Sequence, residues 1–216
     1  MEVNIYYIRH GISVANCVHH GKPLGTIRHK FVPDPSLTSL GVKNTKLAGN
    51  FVRRNIDNPS LVFCSALYRA IETAYNMFPD EKIKPIPYIC EVSYGLENYP
   101  HTIEVQREKF TNEYPNNCVQ WEYNKGHPGR TNSNFNNFIQ HIEEFVIPAH
   151  KNRQSLNIVV VTHGMFMYNN LNISKPKHNA TYLKKYMYSN NKLRSCSDAI
   201  VICSGWDFTK KEQQSL

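Results

Sequence analysis

Long apolar runs are missing from this chain of 216 residues. No stretch approaches the ~20 apolar residues that a helix needs to cross a bilayer, so no membrane association is expected. The opening MEVNIYYIRH carries an acid at position 2 and no basic segment leading into an apolar core. An export signal is therefore not expected, and a cytoplasmic protein is. Paired-cysteine motifs are also lacking: the cysteines at 17, 64, 90, 118, 196 and 203 show no C-x-x-C spacing. Without export, reduced thiols are the expectation, and the sequons at Asn172 and Asn179 are expected to stay unmodified. No Pro/Gly/Ser-rich linker, composition break or internal repeat divides the chain, which points to one domain over residues 1–216. The histidines at 19, 20, 29 and 101 match no structural zinc spacing, so no metal is expected there.

What is present is an ordinary apolar fraction, 41%, enough for a real core, and a formal charge of +8. The charge favours anionic partners such as phosphorylated metabolites. Lys and Arg are spread along the chain rather than gathered with aromatics, so nucleic acid is not the expected partner.

Ile5-Tyr6-Tyr7-Ile8, Leu61-Val62-Phe63-Cys64 and Ile158-Val159-Val160-Val161 lack polar alternation. That is the pattern of strands buried on both faces of a parallel sheet. Helical periodicity separates them. Leu40, Leu47, Ala48, Phe51 and Val52 mark one face; Leu67, Ala70, Ile71, Ala74, Tyr75 and Phe78 a second; Phe135, Phe138, Ile139, Ile142 and Phe145 a third. KIKPIPYI, residues 82–89, reads as an edge strand because of its prolines, and residues 199–203 as a last strand. The Asn-, Lys- and Tyr-rich stretches 112–134 and 172–197 are expected to be surface excursions. Strand and helix alternate, so an α/β sandwich is expected.

The residues after the three apolar runs are Arg9-His10-Gly11, Ser65-Ala66-Leu67-Tyr68-Arg69-Ala70 and Thr162-His163-Gly164. In open α/β sheets the ligand site lies beyond the carboxyl ends of the strands, so these turns should converge. Two histidines and two arginines together form an electropositive pocket suited to a phosphoryl group, which accepts bidentate bonds from guanidinium. Neutral imidazole is a good nucleophile, and phosphoryl transfer can pass through phosphohistidine. The leaving oxygen then needs a proton, and Glu91, following KIKPIPYI, is the best-placed carboxyl group.

Arg9-His10-Gly11-x-Ser13-x-x-Asn16, Leu37-Thr38-x-x-Gly41, Ser65-x-Leu67-x-Arg69-Ala70-x-x-Thr73, Glu91-x-x-x-Gly95 and Val161-Thr162-His163-Gly164 together resemble the histidine phosphatase superfamily, the phosphoglycerate-mutase-like group. The resemblance implies a three-layer sandwich with a mostly parallel central sheet and helices on both faces. It implies His10 as the phosphorylated nucleophile, Arg9, Arg69 and His163 as the phosphate clamp, and Asn16 as a further phosphate contact. Glu91 would be the general acid and base, with no metal and no other cofactor. The chain departs from the pattern at Ala66 and Asn44, and Gly95-Leu96-Glu97 is one residue shorter than the family's usual run, so Glu97 stands as a rival for the acid. The mutases' Asn-x-Phe-Thr-Gly-Trp-type segment is missing between Cys17 and Ser36, whereas Asp34-Pro35-Ser36-Leu37-Thr38 resembles the phosphatase members. Hydrolysis of a phosphomonoester is the expected activity. A phosphoglycerate-type mutase and a catalytically inactive phospholigand- or protein-binding module are the alternatives.

Overall fold

A computed structural model describes residues 1–21, 29–91, 95–124 and 134–205. Seven strands build one sheet: β1 (Glu2–Arg9), β2 (Leu61–Ser65), β3 (Ile83–Ile86), β4 (Ser155–Thr162), β5 (Thr181–Ser189), β6 (Lys192–Ser195) and β7 (Ile200–Cys203). Their order is β3-β2-β4-β1-β5-β6, with β7 sharing the outer edge of β5. The β3/β2, β2/β4 and β4/β1 pairs are parallel, and β5 runs antiparallel to β1, β6 and β7. Every strand except β5 therefore points the same way.

Helix α1 (Val14–Gly21) follows β1, and the other helices cover both faces of the sheet, as the alternation of elements predicts. One face of β1 sends Tyr6 and Ile8 into a core with α2 (Ser39–Asn55), α3 (Tyr68–Met77) and α4 (Ile103–Glu113). The other sends Val3, Ile5 and Tyr7 toward α5 (Phe135–His141), α6 (Ile147–Ala149) and α7 (Gly164–Leu171). With no polar face to display, β1, β2 and β4 read as unbroken apolar runs. β3, with its proline, lies at the sheet edge, where a missing backbone donor costs no ladder bond.

Three expectations need correcting. Residues 172–197 are not a surface excursion, because β5 within them pairs with β1 from Ile8↔Thr181 to Glu2↔Met187. The two-residue turn to β6 is made by Asn190 and Asn191, with φ 51° and 59°. Asparagine tolerates this left-handed conformation, and the right-handed twist of a hairpin favours it. In the stretch 112–134, residues 125–133 lie outside the described set, but Val119 and Trp121 are buried, and Val119 bridges to Ile83. Phe145 is also misplaced by strict helical spacing. A π-helical turn, Ile142–Val146, inserts a residue between α5 and α6, so Val146 faces the core and Phe145 is 64% exposed.

The Leu37-Thr38-x-x-Gly41 block is a packing device. Thr38 Oγ1 caps α2 by accepting from Gly41 N–H at 2.9 Å. A Cβ on Gly41 would stand 2.2 Å from the Ile12 carbonyl oxygen, so only glycine lets α2 approach the chain leaving β1.

Candidate active site

β2, β4 and β1 are neighbours, and their carboxyl ends deliver Arg69, His163 and the Arg9-His10 pair to one place. His10 N–H still bonds the Thr162 carbonyl at 2.9 Å, extending the β1/β4 ladder into the site. A cleft of about 240 Å³ opens there, lined among others by Arg9, His10, Asn16, Arg69, Glu91 and Glu97. The turns are compact by necessity: a Cβ on Gly11 would stand 2.5 Å from Thr45 Cγ2, and one on Gly164 would stand 3.2 Å from Arg9 Nε.

Hydrogen bonds set the tautomers. His10 Nδ1 lies 2.6 Å from the Gly11 carbonyl oxygen, which can only accept. Nδ1 therefore carries the proton, and Nε2 offers a lone pair to Arg69 Nε at 3.3 Å. His163 is the reverse, since its Nδ1 faces Arg69 Nη2 at 3.3 Å and must accept. Its proton then sits on Nε2, which is buried and without a partner among the described residues. The two rings lie 5.0 Å apart between centroids. Burial, then the nearby Arg69, holds both imidazoles well below their ordinary pKa, so both are neutral at pH 7.

The two arginines differ in how they spend their donors. Arg69 Nε bonds His10, Nη1 gives 2.6 Å to the Glu97 carbonyl, and Nη2 reaches Asn98 Oδ1 at 2.9 Å besides His163. Of five guanidinium N–H groups, Arg69 keeps one uncommitted. Arg9 donates from Nη1 to the Pro176 carbonyl at 2.5 Å and from Nη2 to His178 Nε2 at 3.5 Å. Its Nε is buried without a partner among the described residues. Burial pushes the Arg9 pKa down to about 10, against the opposing effect of Glu91. Such unsatisfied buried donors are costly, and an anion relieves the cost.

Asn16 Oδ1 accepts from Ser13 N–H at 3.0 Å and Ser13 Oγ–H at 2.9 Å. Asn16 lines the cleft, and its amide nitrogen carries two N–H donors. Among the described residues no group of three His, Cys, Asp or Glu side chains is placed to hold a metal ion. No described helix is long and apolar enough to cross a membrane.

The sequence model of the histidine phosphatase superfamily (branch 1) matches residues 5–182. The chain belongs to that superfamily. No curated protein sequence matches it. Among solved structures it is similar to the ecdysone phosphate phosphatase of Bombix mori in complex with tungstate, with a TM-score of 0.55 at 17% identity over 90% of this chain and 92% of that one. A phosphoglycerate mutase from Bacillus anthracis gives 0.53 at 15% identity, over 91% and 92% of the two chains. A mutant phosphoserine phosphatase from Entamoeba histolytica in complex with phosphoserine gives 0.50 at 16% identity, over 94% and 98%. These likenesses establish the fold.

Arg9, His10, Asn16, Arg69, Glu91 and Glu97 line this cleft, and His163 lies beside it, bonded to Arg69. Glu91 is half-buried and lines it. Glu97 lines it too but is buried, with its Oε1 accepting from Asn98 Nδ2 at 3.2 Å. Sequence reasoning missed Asn98, His178 and the structural work of Asp34. Asp34 is 2% exposed, accepting from Tyr68 N–H at 2.8 Å, His101 N–H at 3.0 Å and Gln106 Nε2 at 2.6 Å. It ties the first turn of α3, and hence Arg69, to the loop at His101 and to α4. The motif Asp34-Pro35-Ser36-Leu37-Thr38 contained that residue, but nothing in the spacing shows what its carboxylate holds.

Proposed function

We propose that this chain is a metal-independent phosphatase that hydrolyses a phosphomonoester through a phosphohistidine on His10. The observation that carries the reading is the tautomer of His10: the Gly11 carbonyl holds the proton on Nδ1 and leaves Nε2 a nucleophilic lone pair. In the first step Nε2 forms a bond to phosphorus while the P–O ester bond breaks, and the Glu91 carboxyl gives its proton to the departing oxygen. In the second, the Glu91 carboxylate takes a proton from water, the water oxygen bonds phosphorus, and the N–P electron pair returns to His10. Arg9, with its uncommitted donors, His163 Nε2–H and the Asn16 amide bind the phosphoryl oxygens whose charge grows in the transition state. These cationic and neutral donors supply the compensation that a metal gives elsewhere.

Support for Glu91 over Glu97 is electrostatic and steric. Glu91 lines the cleft with Arg9 and Arg69 and is the foremost acid favouring the charged forms of both. The Glu97 carboxylate packs over Gly95, where a Cβ would stand 2.0 Å from Oε2, and its main-chain oxygen is committed to Arg69.

The test is hydrolysis of an aryl phosphate by wild type and His10→Ala in the presence of a chelator, with acid-labile phosphate on the protein followed in parallel. Activity that survives the chelator, vanishes with His10 and leaves acid-labile phosphate on wild type is the expected result. Undiminished turnover by His10→Ala would sink the mechanism. Isomerised ester without phosphate release would indicate the mutase, and phosphate binding with no turnover would indicate a binding module.

A further inference from the structure

The short segment before β5 does more than enter the sheet. Pro176 accepts from Arg9 Nη1, Asn179 N–H bonds the Arg9 carbonyl at 3.0 Å, and Arg9 N–H bonds the Ala180 carbonyl at 3.0 Å. Between them stands His178, 7% exposed, its ring 5.5 Å from that of His10. Asn179 takes a left-handed φ of 60° and is fully buried. That conformation is accessible to asparagine where most side chains would strain, and it turns the chain sharply between His178 and the start of β5.

Two of the hydrogen bonds of His178 are together consistent with one form only. Nδ1 lies 3.2 Å from the His10 carbonyl oxygen and must donate. Nε2 lies 3.5 Å from Arg9 Nη2, which has no lone pair, and must accept. The neutral Nδ1–H tautomer alone satisfies both, so a single ring ties the backbone of the nucleophile to the guanidinium beside it.

Resting on the phosphatase reading above, we propose that His178 is a positioning residue: it acts through Arg9, orienting the guanidinium so that its uncommitted N–H groups face the phosphoryl group bound at His10. Arg9 has few alternatives. Its Nε has no partner among the described residues, and its long side chain has several rotatable bonds that the Pro176 carbonyl alone does not restrict. With His178 in place, the planar fork is held at both Nη atoms, and the phosphoryl group meets an arginine already in position.

The two halves of the ring can be imitated separately. In His178→Gln the amide oxygen replaces Nε2 as acceptor for Arg9, whereas in His178→Asn the amide nitrogen replaces Nδ1 as donor to the His10 carbonyl. The measurement is the dissociation constant of inorganic phosphate by titration calorimetry, with KM and kcat for an aryl phosphate beside it, in these variants, in His178→Ala, in Arg9→Ala and in the Arg9→Ala/His178→Ala double variant. The expected result is phosphate binding within about threefold of wild type for His178→Gln and about tenfold weaker for His178→Asn and His178→Ala, with KM rising in parallel. In the Arg9→Ala background the His178→Ala change should add less than about twofold, because the partner it acts through is gone.

A folded His178→Gln no better than His178→Ala would overturn the proposal, as would a full His178→Ala effect persisting without Arg9. Should wild type bind phosphate but turn nothing over, the phosphatase reading fails, while the binding cycle still decides the role of His178. Should wild type not bind phosphate at all, both fall.

Discussion

Arg69 Nε donates to His10 Nε2 across 3.3 Å, so the arginine covers the lone pair of the candidate nucleophile. For phosphorus to meet Nε2, that hydrogen bond must pass from the imidazole to a phosphoryl oxygen. The exchange is short because Arg69 is already held by Glu97, Asn98 and His163 and has nowhere else to go.

Arg69→Lys tests the exchange. A lysine ammonium keeps the charge but cannot span the same acceptors in one plane. Expected is a fall in kcat/KM of about 10²-fold or more, with His10 still present and the fold intact by circular dichroism. A loss under about threefold would show that charge alone suffices.

The acid can be identified by its leaving-group dependence. Glu91→Gln should lower kcat by about 10²–10⁴-fold for an alkyl phosphate and far less for p-nitrophenyl phosphate, whose leaving oxygen needs no proton. Glu97→Gln should lower both about equally and by a smaller factor, because its role is to shape the loop that holds Arg69. Reversed behaviour of the two variants would move the acid to Glu97.

His10 and His163 carry a stability cost in acid. Burial, with Arg69 adding to it, holds both well below 6.5 in the folded chain, whereas in the unfolded chain they titrate near 6.5. Above that pH both states are neutral and nothing is lost. Below it the unfolded chain takes up protons that the folded chain refuses, and stability falls by about 1.4 kcal/mol per group for each pH unit. Urea denaturation between pH 5 and 8 should show the decline starting near pH 6.5. His163→Gln should roughly halve the slope due to these two groups.

Glu72 has the opposite sign. Burial raises its carboxyl from 4.5 to about 7, although Leu37 N–H at 2.6 Å and Tyr114 Oη–H at 2.8 Å favour the charged form. The folded chain therefore holds a proton more readily than the unfolded one, and Glu72 contributes stability as the pH falls from 7 to 4.5. Glu72→Gln keeps both hydrogen bonds, since the Tyr114 hydroxyl can accept as well as donate. It should stabilise the protein at pH 8 by about 1–2 kcal/mol and steepen the loss below pH 6.5. Lower stability at pH 8 would mean that the ionised carboxylate is needed where it stands.

The buried strands could be read directly because they are covered on both faces, which erases polar alternation from Ile5–Ile8 and Ile158–Val161. β5 escaped the same reading. Lys184 and Lys185 interrupt its pattern next to buried Tyr182, Leu183 and Tyr186, since this strand borders the thin antiparallel flank and can let charged side chains reach water. The Asn190-Asn191 turn was the available signal. Phe145 was misread because a π-helical turn changes the period and leaves no mark in composition.

At the site, the sequence by itself determined which residues stand at the strand ends, because the end of a buried strand is a local event: an apolar run stops and Arg9-His10, Arg69 and His163 follow. Tertiary structure decided everything that depends on two such ends meeting. The tautomer of His163, the different donor commitments of Arg9 and Arg69, the cap of Asp34 on α3 and the place of His178 all arise from contacts between segments far apart in the chain, and hydrogen bonds of that kind impose no spacing that a sequence can display.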